Sequence, residues 1–171
     1  MTTRYEKDPS FHSRTNVFRV TSYCAKYIVE VEVYVHDTFV LKFYPLRFKR
    51  LKNKYRYISG DNILKELLGT CLAIFKGYFD RIPTASFGFM ATGSIVGDFQ
   101  ENQENNQRFQ IYKQVMQNVF GDETFAHYID VSYSAYLMAN RANQLDSFVV
   151  DMQHQFCDMY PDILNLQFTQ I

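Results

Sequence analysis

Residues Arg47 to Arg56 (RFKRLKNKYR) interleave six cations with aromatic and apolar side chains. In an extended segment Arg50, Lys52, Lys54 and Arg56 share one side, and Leu51, Asn53, Tyr55 and Tyr57 take the other. Cations that neutralise phosphates beside rings that stack on bases are the makings of a single-strand nucleic-acid surface, and the same stripe suits an acidic protein. A row of lysines and arginines also keeps an exposed strand edge from pairing with other chains, which is the competing reading of the stripe.

The rest of the chain offers less chemistry. The signatures GxSxG, GxxxxGK[ST], GxGxxG and HExxH are absent. His154 and Cys157 share one turn of a helix, but a zinc site needs three or four ligands, so no metal is expected. Ser94, in Gly93-Ser-Ile-Val-Gly97, follows an expected strand end and reads as a flexible turn. Asp130 with Glu30 or Glu32 could form paired carboxylates for acid–base work, and solvated strand faces explain these residues as well.

The elements that must position these groups follow from periodicity. Val17–Tyr23 is rich in β-branched and aromatic residues. Tyr27 to Val35 alternates strictly, with Glu30 and Glu32 on the polar side, so both segments read as strands of an antiparallel sheet. His36-Asp37 is a tight turn, and Thr38 to Phe48 is a third strand whose second half Pro45 makes an edge or a bulge. Leu64, Leu67, Leu68, Cys71, Leu72, Phe75, Tyr78 and Phe79 recur at helical spacing, with Ser59 or Asp61 as cap and Pro83 beyond the end. Gly69 and Gly77 weaken this helix, which implies close packing against a neighbour.

Ala85 to Thr92 is a buried strand that completes a βαβ passage. Residues 93–107 read as an exposed, mobile loop. Phe109 to Val119 is a second helix, Phe125 to Tyr133 a strand, 135–139 a short helix, 145–159 a longer one, and Ile163 to Phe168 a last weak strand.

With 171 residues, 47% hydrophobic and 21% charged, the chain is of ordinary globular composition and long enough for one domain with its own core. The expectation is a single domain over 1–171 with a flexible N-terminus of about 1–14. Its class is α/β (α+β), a mixed, mainly antiparallel sheet flanked by helices. No window approaches the roughly 20 apolar residues of a membrane helix, and the N-terminus is too polar for a signal peptide. The three cysteines lie far apart, so a cytoplasmic, non-membrane protein is expected. The formal net charge of zero hides an asymmetry. Residues 1–81 carry 15 Lys/Arg against 8 Asp/Glu, and the remainder carries 3 against 10.

Three strands, a long helix, a strand, a helix and another strand over Lys26 to Tyr133 resemble the core of the GCN5-related N-acetyltransferases. Asn105-Asn-Gln-Arg-Phe-Gln-Ile-Tyr112 looks like that family's asparagine-to-tyrosine segment. The resemblance implies that Tyr112 is a general acid and Asn105 a cofactor contact. It also implies that the pyrophosphate loop of acetyl-CoA falls on Arg56-Tyr-Ile-Ser59-Gly60-Asp61, with Ser59 and Gly60 as cofactor-binding residues. Asp61 stands where a small residue is required and would set a carboxylate beside phosphate. The layout is also similar to an uncharacterised bacterial family of unknown function with an acetyltransferase-like outline.

The leading expectation is therefore an acetyltransferase-like protein that binds no cofactor and acts by holding a protein or nucleic-acid partner on Arg50, Lys52, Lys54 and Arg56. Two alternatives stand beside it. One is an active N-acyltransferase using acetyl-CoA, with Tyr112 as acid. The other is a homo-oligomer joined through its basic and acidic halves.

Overall fold

Four segments in which β-branched and aromatic residues dominate form an antiparallel meander: β1 (Thr2–Arg4), β2 (Arg14–Thr21), β3 (Lys26–Tyr34) and β4 (Thr38–Pro45). The computed structural model describes residues 2–4, 14–57, 63–143 and 147–171. The β3–β4 turn puts His36 and Asp37 at φ of 54° and 51°, the left-handed pair that matches strand twist, and Thr38 donates its amide to Val35. Pro45 closes β4, and a single 3-10 turn follows at Leu46–Phe48.

Helix α1 (Leu64–Phe79) then carries the chain back to β5 (Ser86–Met90), which lies parallel to β4. A short hairpin of β6 (Ile95–Val96) and β7 (Phe99–Gln100) precedes α2 (Gln107–Val119), β8 (Phe125–Asp130) and β9 (Ala135–Asn140). Helix α3 (Phe148–Met159) and β10 (Thr169–Gln170) end the chain. The main sheet runs β1-β2-β3-β4-β5-β9-β8-β10. Every neighbouring pair is antiparallel except β4 and β5, so the fold is α+β with a mixed, mostly antiparallel sheet in one small domain.

Each face of the sheet has its own core. On one, α1 and α2 bury Leu67, Phe75, Phe109 and Met116 against Val29, Val31, Phe39, Phe87 and Met138. On the other, α3 buries Phe148, Met152 and Phe156 against Val40 and Leu137. Strand β9 is buried along all six residues because both faces are covered there. That burial corrects the expected short helix at 135–139: a continuous apolar run has no period, and packing on two sides selects the strand. Residues 163–168 likewise form an irregular segment that docks Ile163 and Leu166 under α3, and pairing is confined to Thr169 and Gln170.

Two further expectations change. Gly69 and Gly77 meet nothing on their open side, so no close neighbour explains them. Glu30 and Glu32 do not sit on a solvated face, because tyrosines and lysines enclose them as described below. The polar stretch 93–107 holds the β6–β7 hairpin, and its side chains bond within the molecule. Glu101 accepts from the amides of Ser94 and Gln107, and Gln103 donates to Ala91 O and Tyr133 O. Gly93 allows this closure, since a Cβ there would overlap the carbonyl oxygens of Glu101 and Asn102. Asn106 caps α2 by accepting from the Phe109 amide at 3.0 Å.

Candidate functional site

Strands β4 and β5 are in register for only three pairs, Thr38–Ser86, Phe39–Phe87 and Val40–Gly88. Beyond them β4 continues to Pro45 along β3 and β5 to Met90 along β9 without pairing to each other, so the sheet splits between its two parallel strands. A cavity of about 440 Å³ occupies the gap. Alternation along the strands shows that it passes through the sheet plane: Leu41, Phe43 and Phe89 line it from the face of α1 and α2, Lys42 and Met90 from the face of α3. Parallel strands splay here because the chain after each must leave in a different direction, into a turn after Pro45 and into the hairpin loop after Met90.

The loop after β4 is fastened across one end of the gap. The Arg56 Nε donates to Gly93 O at 2.9 Å, and the Arg56 carbonyl accepts from the Ile95 amide. Arg108 of α2 donates to Tyr55 O and Tyr57 O, and Thr92 Oγ1 donates to Tyr55 O. Arg108 and Arg56 therefore hold one wall together by capping carbonyls that no strand takes.

Tyr112 projects from α2 into the cavity. It is nine-tenths buried, lies edge-on to Phe89 at 5.5 Å, and its hydroxyl makes no hydrogen bond with any described residue. Burial pushes its phenol well above the usual range, with Arg108 pulling the other way, so it is a neutral donor throughout the physiological range. Cys71, on the facing wall, is raised to about 12 by burial and remains a thiol.

On the α3 side two linked polar clusters border the gap. Lys42 donates to Glu32 at 2.8 Å, and Tyr34 and Tyr160 donate to the same carboxylate at 2.8 and 3.1 Å. The Lys42 ammonium also lies over the Tyr160 ring at 4.6 Å. Burial works against both charges, yet the pair and its hydroxyls keep Glu32 below and Lys42 above their ordinary ranges, so both stay ionised. Glu30 takes Tyr44 at 3.0 Å, Tyr55 at 2.5 Å and Lys54 at 3.4 Å. Burial and the Glu30 carboxylate drive the Tyr55 phenol far upward. Of these groups Lys42, Tyr55 and Tyr160 face the cavity, together with Lys52 and Asp162.

The residues singled out by sequence fall in different places. Tyr112 lines the cavity. Asn105 is exposed at the start of α2, at φ 46°, and is not part of the lining. Ser59, Gly60 and Asp61 lie outside the described residues. The basic stripe is not extended: 49–56 forms a series of turns, Arg50 and Lys52 are exposed, and Lys54 and Arg56 are half-buried and tied to Glu30 and Gly93. Its physical cause is the Pro45 stop and the aromatic cage of Tyr44 and Tyr55, whose rings lie 3.9 and 4.8 Å from the Lys54 ammonium. Lys42, Tyr160 and Arg108 were not singled out at all. In the β3–β4 register Lys42 lies opposite Glu30 and reaches diagonally to Glu32.

No group of three or more His, Cys, Asp or Glu suited to a metal occurs among the described residues, and none of their helices is long and apolar enough to cross a membrane. No family model, no curated protein and no solved structure matches the chain.

Proposed function

We propose that the protein is an acyl-group transferase that binds a coenzyme A type thioester in the gap between β4 and β5 and passes the acyl group to an amine. The observation that carries this reading is the gap itself, a split in a parallel strand pair lined by Tyr112, whose ring is buried and whose hydroxyl makes no hydrogen bond with any described residue. Backbone groups of β4 beyond Val40 have no strand on their β5 side and are available to a carbonyl or amide of the ligand.

The roles follow from chemistry. The amine nitrogen attacks the thioester carbonyl and gives up a proton to water, the tetrahedral intermediate collapses with cleavage of its C–S bond, and a proton must reach the departing sulfur from a donor that water then reprotonates. Tyr112 is neutral at working pH and is the only phenol on the α2 wall of the gap among the described residues, so it supplies that proton. Lys52 at the cavity lining and Arg50 beside it in sequence are exposed cations suited to the phosphates of the same ligand.

Titration calorimetry with acetyl-CoA and with desulfo-CoA tests binding, and turnover with a panel of primary amines tests transfer. Tyr112→Phe is expected to keep the fold and thioester affinity and to lower kcat by about 100-fold or more, the size of a lost general acid. Full turnover in that variant removes Tyr112 from the reaction; absence of thioester binding overturns the assignment. The second reading, capture of an acidic partner, is favoured by the exposure of Arg50 and Lys52 alone. Retention of such a partner by an Arg50→Glu, Lys52→Glu variant would dismiss it.

A further inference from the structure

We infer that the acyl group this site accepts is a chain of several carbons and not acetyl, an inference that rests on the thioester reading above and adds to it the identity of the donor. On the α1/α2 side the cavity forms a chamber walled by Leu68, Cys71, Leu72, Phe75, Val115 and Met116. These side chains come from two helices and carry no charge. The Cys71 thiol among them is pushed up to about 12 by burial, as expected for a dry wall.

The polar lining lies elsewhere: Lys42, Tyr160 and Asp162 on the α3 side, Lys52 and Asn53 along the loop after β4, Arg108 and Tyr112 at the boundary between the two regions. A ligand that fills the space must match this division. Its carbonyl belongs at the boundary beside the Tyr112 hydroxyl, its anionic and amide-bearing arm along the loop, and its hydrocarbon inward between α1 and α2.

Two physical arguments favour a chain over a methyl. Native interiors close over small voids, and a chamber lined by flexible Leu and Met side chains would be expected to collapse if nothing but an acetyl methyl used it. A pantetheine arm, in turn, carries two amides, and burying them where no wall residue offers a donor or acceptor is unfavourable. A saturated chain has neither problem. Each methylene taken out of water is worth a factor of about four in affinity, the equivalent of about 0.8 kcal/mol.

The test is a homologous series measured by titration calorimetry on the full chain: CoA, acetyl-, butyryl-, hexanoyl- and octanoyl-CoA. The dissociation constant is expected to fall about fourfold per methylene from acetyl to hexanoyl. Leu72→Trp, which fills the chamber from its half-exposed rim, should collapse the hexanoyl-to-acetyl ratio to near one, and Val115→Phe should do the same with a smaller side chain if the first variant fails to fold. A flat series with acetyl-CoA bound as tightly as hexanoyl-CoA overturns the chain inference and leaves the thioester reading standing. Binding of none of the five overturns both. A rising series that the filled variants leave unchanged also overturns the inference, because the chain would then lie elsewhere.

Discussion

Replacing Lys42 by methionine removes the only cation within reach of Glu32 among the described residues and leaves a carboxylate that is 13% exposed at its side chain. Breaking a buried pair on one side costs about 3 to 5 kcal/mol, because the surviving charge is neither solvated nor neutralised. Here the cost belongs at the low end, about 3 kcal/mol, since the Tyr34 and Tyr160 hydroxyls still donate to Glu32 at 2.8 and 3.1 Å. Removing both charges with Glu32→Leu and Lys42→Met together leaves two tyrosine hydroxyls without their acceptor but no bare charge, and the loss should shrink to about 1 to 2 kcal/mol. The double variant is therefore expected to be more stable than Lys42→Met alone, which is the opposite of additive behaviour. Urea unfolding followed by far-ultraviolet circular dichroism gives the four free energies of the cycle. At about 2 to 4 °C per kcal/mol for a chain of this length, the single variant should also lose roughly 6 to 12 °C in Tm. A loss below about 1 kcal/mol in Lys42→Met, or a double variant weaker than the sum of the singles, would refute the view that Glu32 and Lys42 form a largely buried ion pair on the α3 side of the sheet.

Two other expectations concern stability. His127 is buried on β8, its Nδ1 paired with the Tyr136 hydroxyl at 2.5 Å, and burial holds its pKa below the ordinary 6.5 despite Asp122 at 3.5 Å. The unfolded chain then binds the proton first, so unfolding free energy should fall as pH drops below about 6.5, and His127→Gln should flatten that slope in urea titrations between pH 5 and 7. Gly69→Ala and Gly77→Ala should each raise stability by about 0.5 to 1 kcal/mol, because the added methyl meets nothing and the helix loses a flexible residue; an unchanged or lowered urea midpoint would count against open space at those positions.

The order of elements was largely legible along the chain. Val29, Val31 and Val33 alternate because β3 packs one face on α1 and α2, and Leu67, Cys71 and Phe75 repeat at helical spacing because α1 buries one stripe. Where period vanished, reading failed. Ala135 to Ala139 carries no charge and no period, and the arrival of α3 on its second face makes it a strand. Glu30 and Glu32 show the same limit from the polar side: the alternation that placed them away from the first core was right, but their company of Tyr44, Tyr55 and Tyr160 comes from residues 14 to 128 positions away.

The candidate site was less legible still. Tyr112 stood out by its segment, yet its meaning depends on where β4 and β5 part, and strand divergence leaves no mark in residue type. The basic run looked like one surface because a string of letters has no turns; Pro45 and the Tyr44–Tyr55 cage fold Lys54 inward and leave Arg50 and Lys52 outside. The class of fold, the helix faces and the alternation of β3 were legible in residue order alone, since local periodicity answers to the nearest core. The split in the sheet, the Tyr160 cover over Glu32 and the chamber between α1 and α2 come from tertiary packing, since each is made by groups far apart in the chain that meet only when the helices dock on the sheet.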